Sequence, residues 1–86
     1  MEKLKEYIAG KNYVAGFRQL GRLLTEGKIA QVYLAADADE AFKQKVFHIA
    51  RQQGVEVAET GTRREFAALC KIRVGCAVIG ITANNK

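Results

Sequence analysis

Eighty-six residues, 49% of them hydrophobic and none of them proline, suffice for one compact domain and leave no room for a second. This composition excludes a disordered chain, and no apolar run approaches the roughly 18 residues of a membrane span. The net charge of +5 is consistent with a polyanionic partner, and equally consistent with a charge excess that only aids solubility. The charged segment 1–6 lacks the apolar core of a signal peptide, and we expect a cytoplasmic protein.

The first half of the chain alternates short helical and extended patterns. Leu4 and Ile8 are four residues apart, as in a short amphipathic helix, and Gly10 follows at the usual end position. Gly16 permits a tight turn into a second helix, which Gly27 closes. The predicted elements are a helix over 1–9, a strand over 12–15, a helix over 17–26 and a strand over 29–36.

The second half continues the alternation. Either Asp37 or Asp39 can cap a helix that runs to about residue 53, and residues 55–58 form a short strand. Thr62 and Glu65 have the spacing of a capping box, which begins the last helix. A small, apolar strand follows over 76–82. Strands alternating with helices predict a single α/β domain over residues 1–86, a three-layer α/β/α sandwich with a mixed four-stranded sheet.

Constellations that carry catalysis are nearly absent. His48 lies within a predicted helix, beside no recognisable nucleophile motif, and Asp37 and Asp39 are better explained as caps and turn formers. Cys70 and Cys76 sit among apolar neighbours, where a free cysteine behaves as a small hydrophobic residue. We therefore predict no enzymatic activity, no metal site and no cofactor.

The segment 16–22 begins a helix and carries several groups suited to an anion. Unpaired amides and the helix dipole attract negative charge there, and Gly16 lets another backbone come close. Arg18 and Arg22 can form bidentate bonds with phosphate or a guanine edge, and Gln19 can pair with a base. The alternative is an ordinary solvated helix face.

A second segment, before the last strand, mixes apolar and basic residues. If Ile72 and Val74 point outward, with Arg73 between them, they offer an apolar platform for an unstacked base. Alternatively they begin the strand and point into the core, which the pattern alone favours. Arg63 and Arg64 add cations at a helix N-terminus, where the dipole disfavours them, and so indicate an anionic partner.

Four segments in order resemble the kink-turn-binding ribosomal proteins of the L7Ae and L30e type, most closely their small bacterial paralogues. The first, 16–22, matches a family signature of Gly, a small polar residue, Asn or Lys, Glu or Gln, two variable residues and Lys. The others are 32–39, 62–66 and 70–77, and the resemblance covers residues 4–82. It implies a non-catalytic, monomeric protein that binds structured RNA, with the ribosome as a candidate partner.

The resemblance also implies residue roles. Gly16 would approach the RNA backbone, while Arg18 and Gln19 would contact the edges of sheared G·A pairs. Arg22 and one of Arg63 or Arg64 would hold phosphates. Ile72 and Val74 would pack on an extruded nucleotide. The RNA-binding residues expected are Gly16, Phe17, Arg18, Gln19, Arg22, Arg63, Arg64, Ile72, Arg73, Val74 and Gly75.

Three residues depart from the family pattern and keep alternatives open. Phe17 replaces a small polar residue, so its ring either crowds the RNA or stacks on it. Arg18 replaces the archaeal-type Asn, and Arg73 replaces the usual Glu. One alternative is that a ribosome-associated protein of this fold binds a different RNA shape. Another is a protein-interaction module of the same fold, whose basic face docks an acidic partner.

Overall fold

The computed structural model describes residues 2–72 and 76–82. Helices α1 (Glu2–Ala9), α2 (Phe17–Thr25), α3 (Glu40–Gln52) and α4 (Arg63–Cys70) alternate with strands β1 (Tyr13–Ala15), β2 (Ile29–Leu34), β3 (Val57–Glu59) and β4 (Val78–Thr82). The strands form one sheet in the order β1-β4-β2-β3. Strand β4 is antiparallel to β1 and β2, whereas β3 is parallel to β2, which confirms the predicted mixed four-stranded sheet.

Helices cover both faces of the sheet. Helices α2 and α3 contact each other and the sheet, and α1 and α4 contact each other, with α4 also packing on β4. Four consecutive residues of β4, from Val78 to Ile81, are buried, which requires cover on both faces because successive side chains point in opposite directions. The predicted three-layer α/β/α sandwich is therefore confirmed.

The predicted elements occur in type and order, but the strands are shorter at their ends. Strand β2 stops at Leu34 because the next two amides leave the ladder: Ala35 N–H donates to Ala77 O at 2.8 Å and Ala36 N–H to Gly61 O at 2.9 Å. The predicted strand over 55–58 is instead Val57–Glu59, since Val55 N–H donates to Ala50 O at the end of α3.

Candidate nucleic-acid interface

A single glycine connects β1 to α2. Gly16 has φ 101° and ψ 148°, a conformation that a residue with a Cβ adopts only under strain. Its N–H donates to Val78 O at 3.1 Å, and its carbonyl accepts from Leu20 N–H at 3.2 Å, the first helical bond of α2. No side chain at Gly16 caps the helix, and the first turn holds no acidic residue. The positive end of α2 thus carries no negative charge from its own first turn.

The polar residues of α2 lie apart from its buried stripe. Leu20 and Leu24 are buried, whereas Arg18, Gln19 and Arg22 are exposed. Arg18 and Arg22 are four residues apart, so both guanidinium groups project from one side of the helix. The structure therefore presents all three predicted side chains to solvent, with Arg18 and Gln19 at the uncapped end of α2 and Arg22 in its last turn.

Phe17 is only half-buried and packs against another aromatic ring. Its ring centroid lies 5.5 Å from that of Phe42 in α3, with an interplanar angle of 62°. This edge-to-face contact stabilises both rings and leaves Phe17 in contact with the protein on one side. Phe42 is not among the binding residues expected from the sequence, because an apolar residue at helical spacing gives no signal of a role beyond the core.

A cleft of about 390 Å³ joins the two predicted segments. One side is lined by residues 15–17, another by Phe42, and the third by Ile72 with residues 76–78. Ile72 is 40% exposed and is the one large hydrophobic residue that is exposed in the described part of the chain. The segments of α2 and of the later loop, distant in sequence, thus face one cavity.

Ile72 lies outside the last strand, so the pattern-based preference for a core orientation was wrong for this residue. Lys71 adopts a left-handed conformation, φ 59°, at the end of α4 and turns the chain. Ile72 N–H then donates to Ala67 O at 3.1 Å, which holds the residue against the helix end rather than in the sheet. The predicted binding residues Arg73, Val74 and Gly75 lie outside the described residues.

Two carboxylates of the protein lie at the start of α4, where Arg63 and Arg64 are found. Thr62 and Glu65 form the predicted capping box. Asp37 accepts a hydrogen bond from Arg63 N–H at 2.9 Å, and its Oδ1 lies 3.7 Å from Arg63 Nε. The carboxylates of Asp37 and Glu65 thus make the helix start tolerate these cations, so their position against the dipole is not by itself a sign of an anionic ligand. Both arginine side chains remain exposed.

Asp39 is the residue that caps α3. Its Oδ2 accepts hydrogen bonds from Ala41 N–H at 3.0 Å and from Phe42 N–H at 3.3 Å. Because Asp37 is directed to α4 instead, the two aspartates hold the starts of two helices. Their carboxylates act as structural groups, as the sequence indicated.

Cys76 lines the cleft and Cys70 lies at the end of α4. Burial raises the pKa of the Cys76 thiol above its usual value. Burial, with a smaller effect of the Cys76 thiol, raises the pKa of Cys70 to about 11. Both thiols therefore stay protonated at neutral pH and contribute apolar surface rather than a nucleophile.

The remaining chemistry of the described residues is limited. No group of three or more His, Cys, Asp or Glu side chains in this part of the chain could hold a metal ion. His48 is exposed on α3. None of the described helices is long and apolar enough to span a membrane. The interface consists of cations, one carboxamide and an apolar cleft, which together can bind an anion that carries flat apolar groups.

Comparison with known proteins identifies the family. A model of the Ribosomal protein L7Ae/L30e/S12e/Gadd45 family matches residues 1–86. The chain belongs to this family. Similar curated proteins include RNA-binding protein GK0100 of Geobacillus kaustophilus (strain HTA426), 40% identical over 73 residues, and RNA-binding protein YbxF of Geobacillus stearothermophilus, 37% identical over 73 residues. Each match covers 85% of this chain and 88% of the relative.

Solved structures of the same fold come from distant organisms. The Giardia lamblia 15.5kD RNA binding protein superposes with a TM-score of 0.81 at 21% identity, over 94% of this chain and 68% of that one. A Bacillus halodurans protein of unknown function also has a TM-score of 0.81, at 20% identity, over 91% of this chain and 78% of that one. These likenesses confirm the fold that the sequence predicted.

Proposed function

We propose that this protein binds structured RNA without catalysis and recognises a kink-turn or a similar helix–bulge–helix element. Membership of the L7Ae/L30e/S12e/Gadd45 family supports RNA as the ligand, as do the names of relatives such as RNA-binding protein GK0100. The observation that carries the proposal is the cleft in which exposed Ile72 lies beside the uncapped start of α2.

The start of α2 supplies polar recognition. The helix dipole and the guanidinium groups of Arg18 and Arg22 attract phosphate, and an arginine can also bond a guanine edge in bidentate geometry. The Gln19 carboxamide offers a donor and an acceptor to a purine edge. Among the described residues, no atom outside Gly16 and its chain neighbours lies within 4 Å of an added Cβ at Gly16, which leaves space there for an approaching backbone.

The cleft supplies the apolar part of recognition. A base pushed out of an RNA bulge exposes both ring faces, and it is stabilised by stacking on apolar or aromatic side chains. Ile72 and Phe17 line the cleft, and Arg63 remains exposed near the same end of the sheet for a phosphate contact. Because only the bent RNA presents the bulged base and the purine edges together, the protein stabilises that conformer by differential affinity.

Ribosome association, a monomeric state and a cytoplasmic location complete the proposal. Ribosomal proteins define the family to which the chain belongs, which supports a ribosomal or ribosome-associated RNA as the target. One copy of the chain contains both the α2 start and Ile72, so a monomer suffices for the contacts described.

The decisive experiment is a titration against a fluorescent kink-turn RNA and the same RNA with its G·A pairs replaced by Watson–Crick pairs. We expect at least about tenfold preference for the kink-turn, with bending seen by energy transfer between labelled RNA ends. Arg18→Ala and Gln19→Ala should each weaken kink-turn binding by about 1–3 kcal/mol. Arg51→Ala and Gln44→Ala are matched controls, since both residues are exposed on α3.

Equal, salt-sensitive affinity for the two RNAs would contradict kink-turn recognition and redirect the search to another RNA shape. Ile72→Ala separates RNA stacking from simple charge attraction. It should weaken binding of the kink-turn, whereas attraction to an acidic protein on the same basic face would persist.

A further inference from the structure

A second pocket lies between α1 and α4, in the other helical layer. It has a volume of about 350 Å³ and is lined by Lys5, Lys11 and Lys71. The apolar residues Ile8, Tyr13 and Leu69 line it as well. None of these residues lines the cleft beside Gly16, although the two sites adjoin, since Lys71 of the pocket directly precedes Ile72 of the cleft.

The pocket combines an apolar lining with a cationic rim. Its apolar residues Ile8, Tyr13 and Leu69 are half-buried and pack against the core, whereas the three lysines are exposed. Ion pairs in the described part of the chain involve Lys28, Lys43 and Arg63, and none of the pocket lysines. No acidic residue appears among the described residues of the lining. The pocket therefore offers unneutralised positive charge around a place for an apolar group.

The backbone places two of these lysines at positions that favour glycine. Lys11 has φ 61° and Lys71 has φ 59°, and they are the two residues other than glycine with positive φ in the described chain. Lys11 turns the chain between α1 and β1, and Lys71 ends α4. Glycine adopts this conformation without a steric cost, and helices commonly end with it. Lysine at both positions puts charge beside the pocket despite that preference.

We propose that this pocket docks an acidic segment of a partner protein, with an apolar side chain inserted between α1 and α4 and flanking carboxylates beside the lysines. Charge complementarity supports this occupant, and the lining by Ile8, Tyr13 and Leu69 matches a leucine or phenylalanine side chain. The exposed arginines Arg18, Arg22 and Arg63 lie at the other site, where bidentate phosphate contacts are needed. The cations among the described residues of the pocket are lysines, which act as point charges and suit carboxylates without fixed geometry. The inference does not depend on the proposed RNA target.

The test is an NMR titration of the ¹⁵N-labelled protein with short peptides in which Leu, Phe or Trp is flanked by Asp and Glu. At least one peptide should shift the amides of Ala9, Lys11 and Leu69, and replacing its apolar residue by Ser should abolish the shifts. The double variant Lys11→Gly/Lys71→Gly should bind about tenfold more weakly, because two ion pairs are lost. Lys45→Gln, at an exposed position of α3, is the matched control and should bind normally.

The glycine variants are chosen because they remove charge and permit the same backbone conformation. Their thermal midpoint should stay within a few degrees of that of the native protein, so lost binding does not reflect unfolding. Lys11→Asn/Lys71→Asn provides a second, less flexible pair with the same expected loss. Three results would overturn the proposal: no peptide shifts the pocket amides, the double variants bind every peptide as well as the native protein, or they lose RNA affinity and keep peptide affinity.

Discussion

Gly80 in β4 allows α2 to lie close to the sheet. A Cβ built at Gly80 would clash with Leu20 Cδ1 of α2 and would press on Ile29 Cδ1 at 3.2 Å and on Val14 Cγ2 at 3.3 Å. Leu20 is fully buried, so it has little room to move. Gly16, Arg18 and Gln19 belong to the start of the same helix. Gly80 therefore also affects how far the candidate interface lies from the sheet.

Alanine at two glycines should have opposite effects on stability. Gly80→Ala should lower the free energy of unfolding by about 1–3 kcal/mol through overpacking. Gly21→Ala, in the middle of α2 with no contact within 4 Å of an added Cβ, should raise it by up to about 1 kcal/mol through helix propensity. Urea denaturation of both variants measures the difference. Equal changes in the free energy of unfolding of the two variants would mean that α2 moves away from the sheet to make room for the methyl group at position 80.

The Cys70 thiol should react slowly in the folded protein. Its pKa rises from 9.0 to about 11, chiefly through burial, so its thiolate fraction at pH 8 falls about 100-fold. In a Cys76→Ala variant, which keeps the larger effect of burial and loses the smaller effect of the Cys76 thiol, a disulfide reagent should react at least about tenfold faster after unfolding in urea than before. A cysteine at the exposed position 44, introduced as Gln44→Cys in a cysteine-free background, should react at similar rates before and after unfolding. Because the folded state holds the proton more tightly, stability is present below pH 9.0 and is lost as the pH rises through about 11.

At the scale of elements, the three helices that begin beside strand ends differ in their caps. Asp39 caps α3, and Thr62 and Glu65 cap α4, whereas α2 begins at Gly16 with no side-chain cap. Capping side chains satisfy amides that water or a ligand would otherwise satisfy. Of these three helix starts, the start of α2 is therefore the one at which an anion competes with no capping side chain.

The capping box of α4 should contribute measurably to stability. Thr62→Ala removes the hydroxyl that accepts from Glu65 N–H at 3.1 Å and should lower the free energy of unfolding by about 1 kcal/mol. Thr62→Ser keeps the acceptor and is the matched control, with a change of less than half that amount. Denaturant unfolding followed by circular dichroism measures both. If Thr62→Ser lowered the free energy of unfolding as much as Thr62→Ala does, the threonine methyl group and not the cap would stabilise this helix.

At the scale of the whole molecule, two surfaces of different composition carry exposed cations. Two arginines and a glutamine are exposed on α2, while lysines line the pocket between α1 and α4. The net charge of +5 raises the rate of encounter with any polyanion, but the positions of the side chains decide which partner binds each surface.

RNA affinity should depend clearly on salt. With about four phosphate contacts, the slope of log K against log salt concentration should be about −3. Arg63→Gln should reduce the magnitude of that slope by about one and weaken binding to all RNAs alike. Lys45→Gln, at an exposed position of α3, should leave the slope unchanged. Filter binding or fluorescence anisotropy over a salt series gives the slopes, and an unchanged slope for Arg63→Gln would remove that residue from the interface.

Local residue order is sufficient for much of the structure. Periodicity predicts every helix and strand, and glycines and caps place most boundaries within two residues, because these signals act between near neighbours in the chain. The capping box at Thr62 and Glu65 is an example, since both partners lie within one helical turn. The exposed face of α2, with its two arginines and glutamine, follows from helical spacing in the same way.

Contacts between distant segments required the folded chain. The sequence pattern favoured Ile72 in the core, yet the left-handed turn at Lys71 leaves it exposed beside Phe17 and Phe42. Arg63 looked unfavourable at a helix start until Asp37, 26 residues earlier, proved to be its partner. Composition and spacing thus determined the α/β class, the basic character and the candidate residues. Tertiary packing decided which side chains share a cleft, because side chains from four elements meet there and their positions depend on backbone turns that local patterns do not encode.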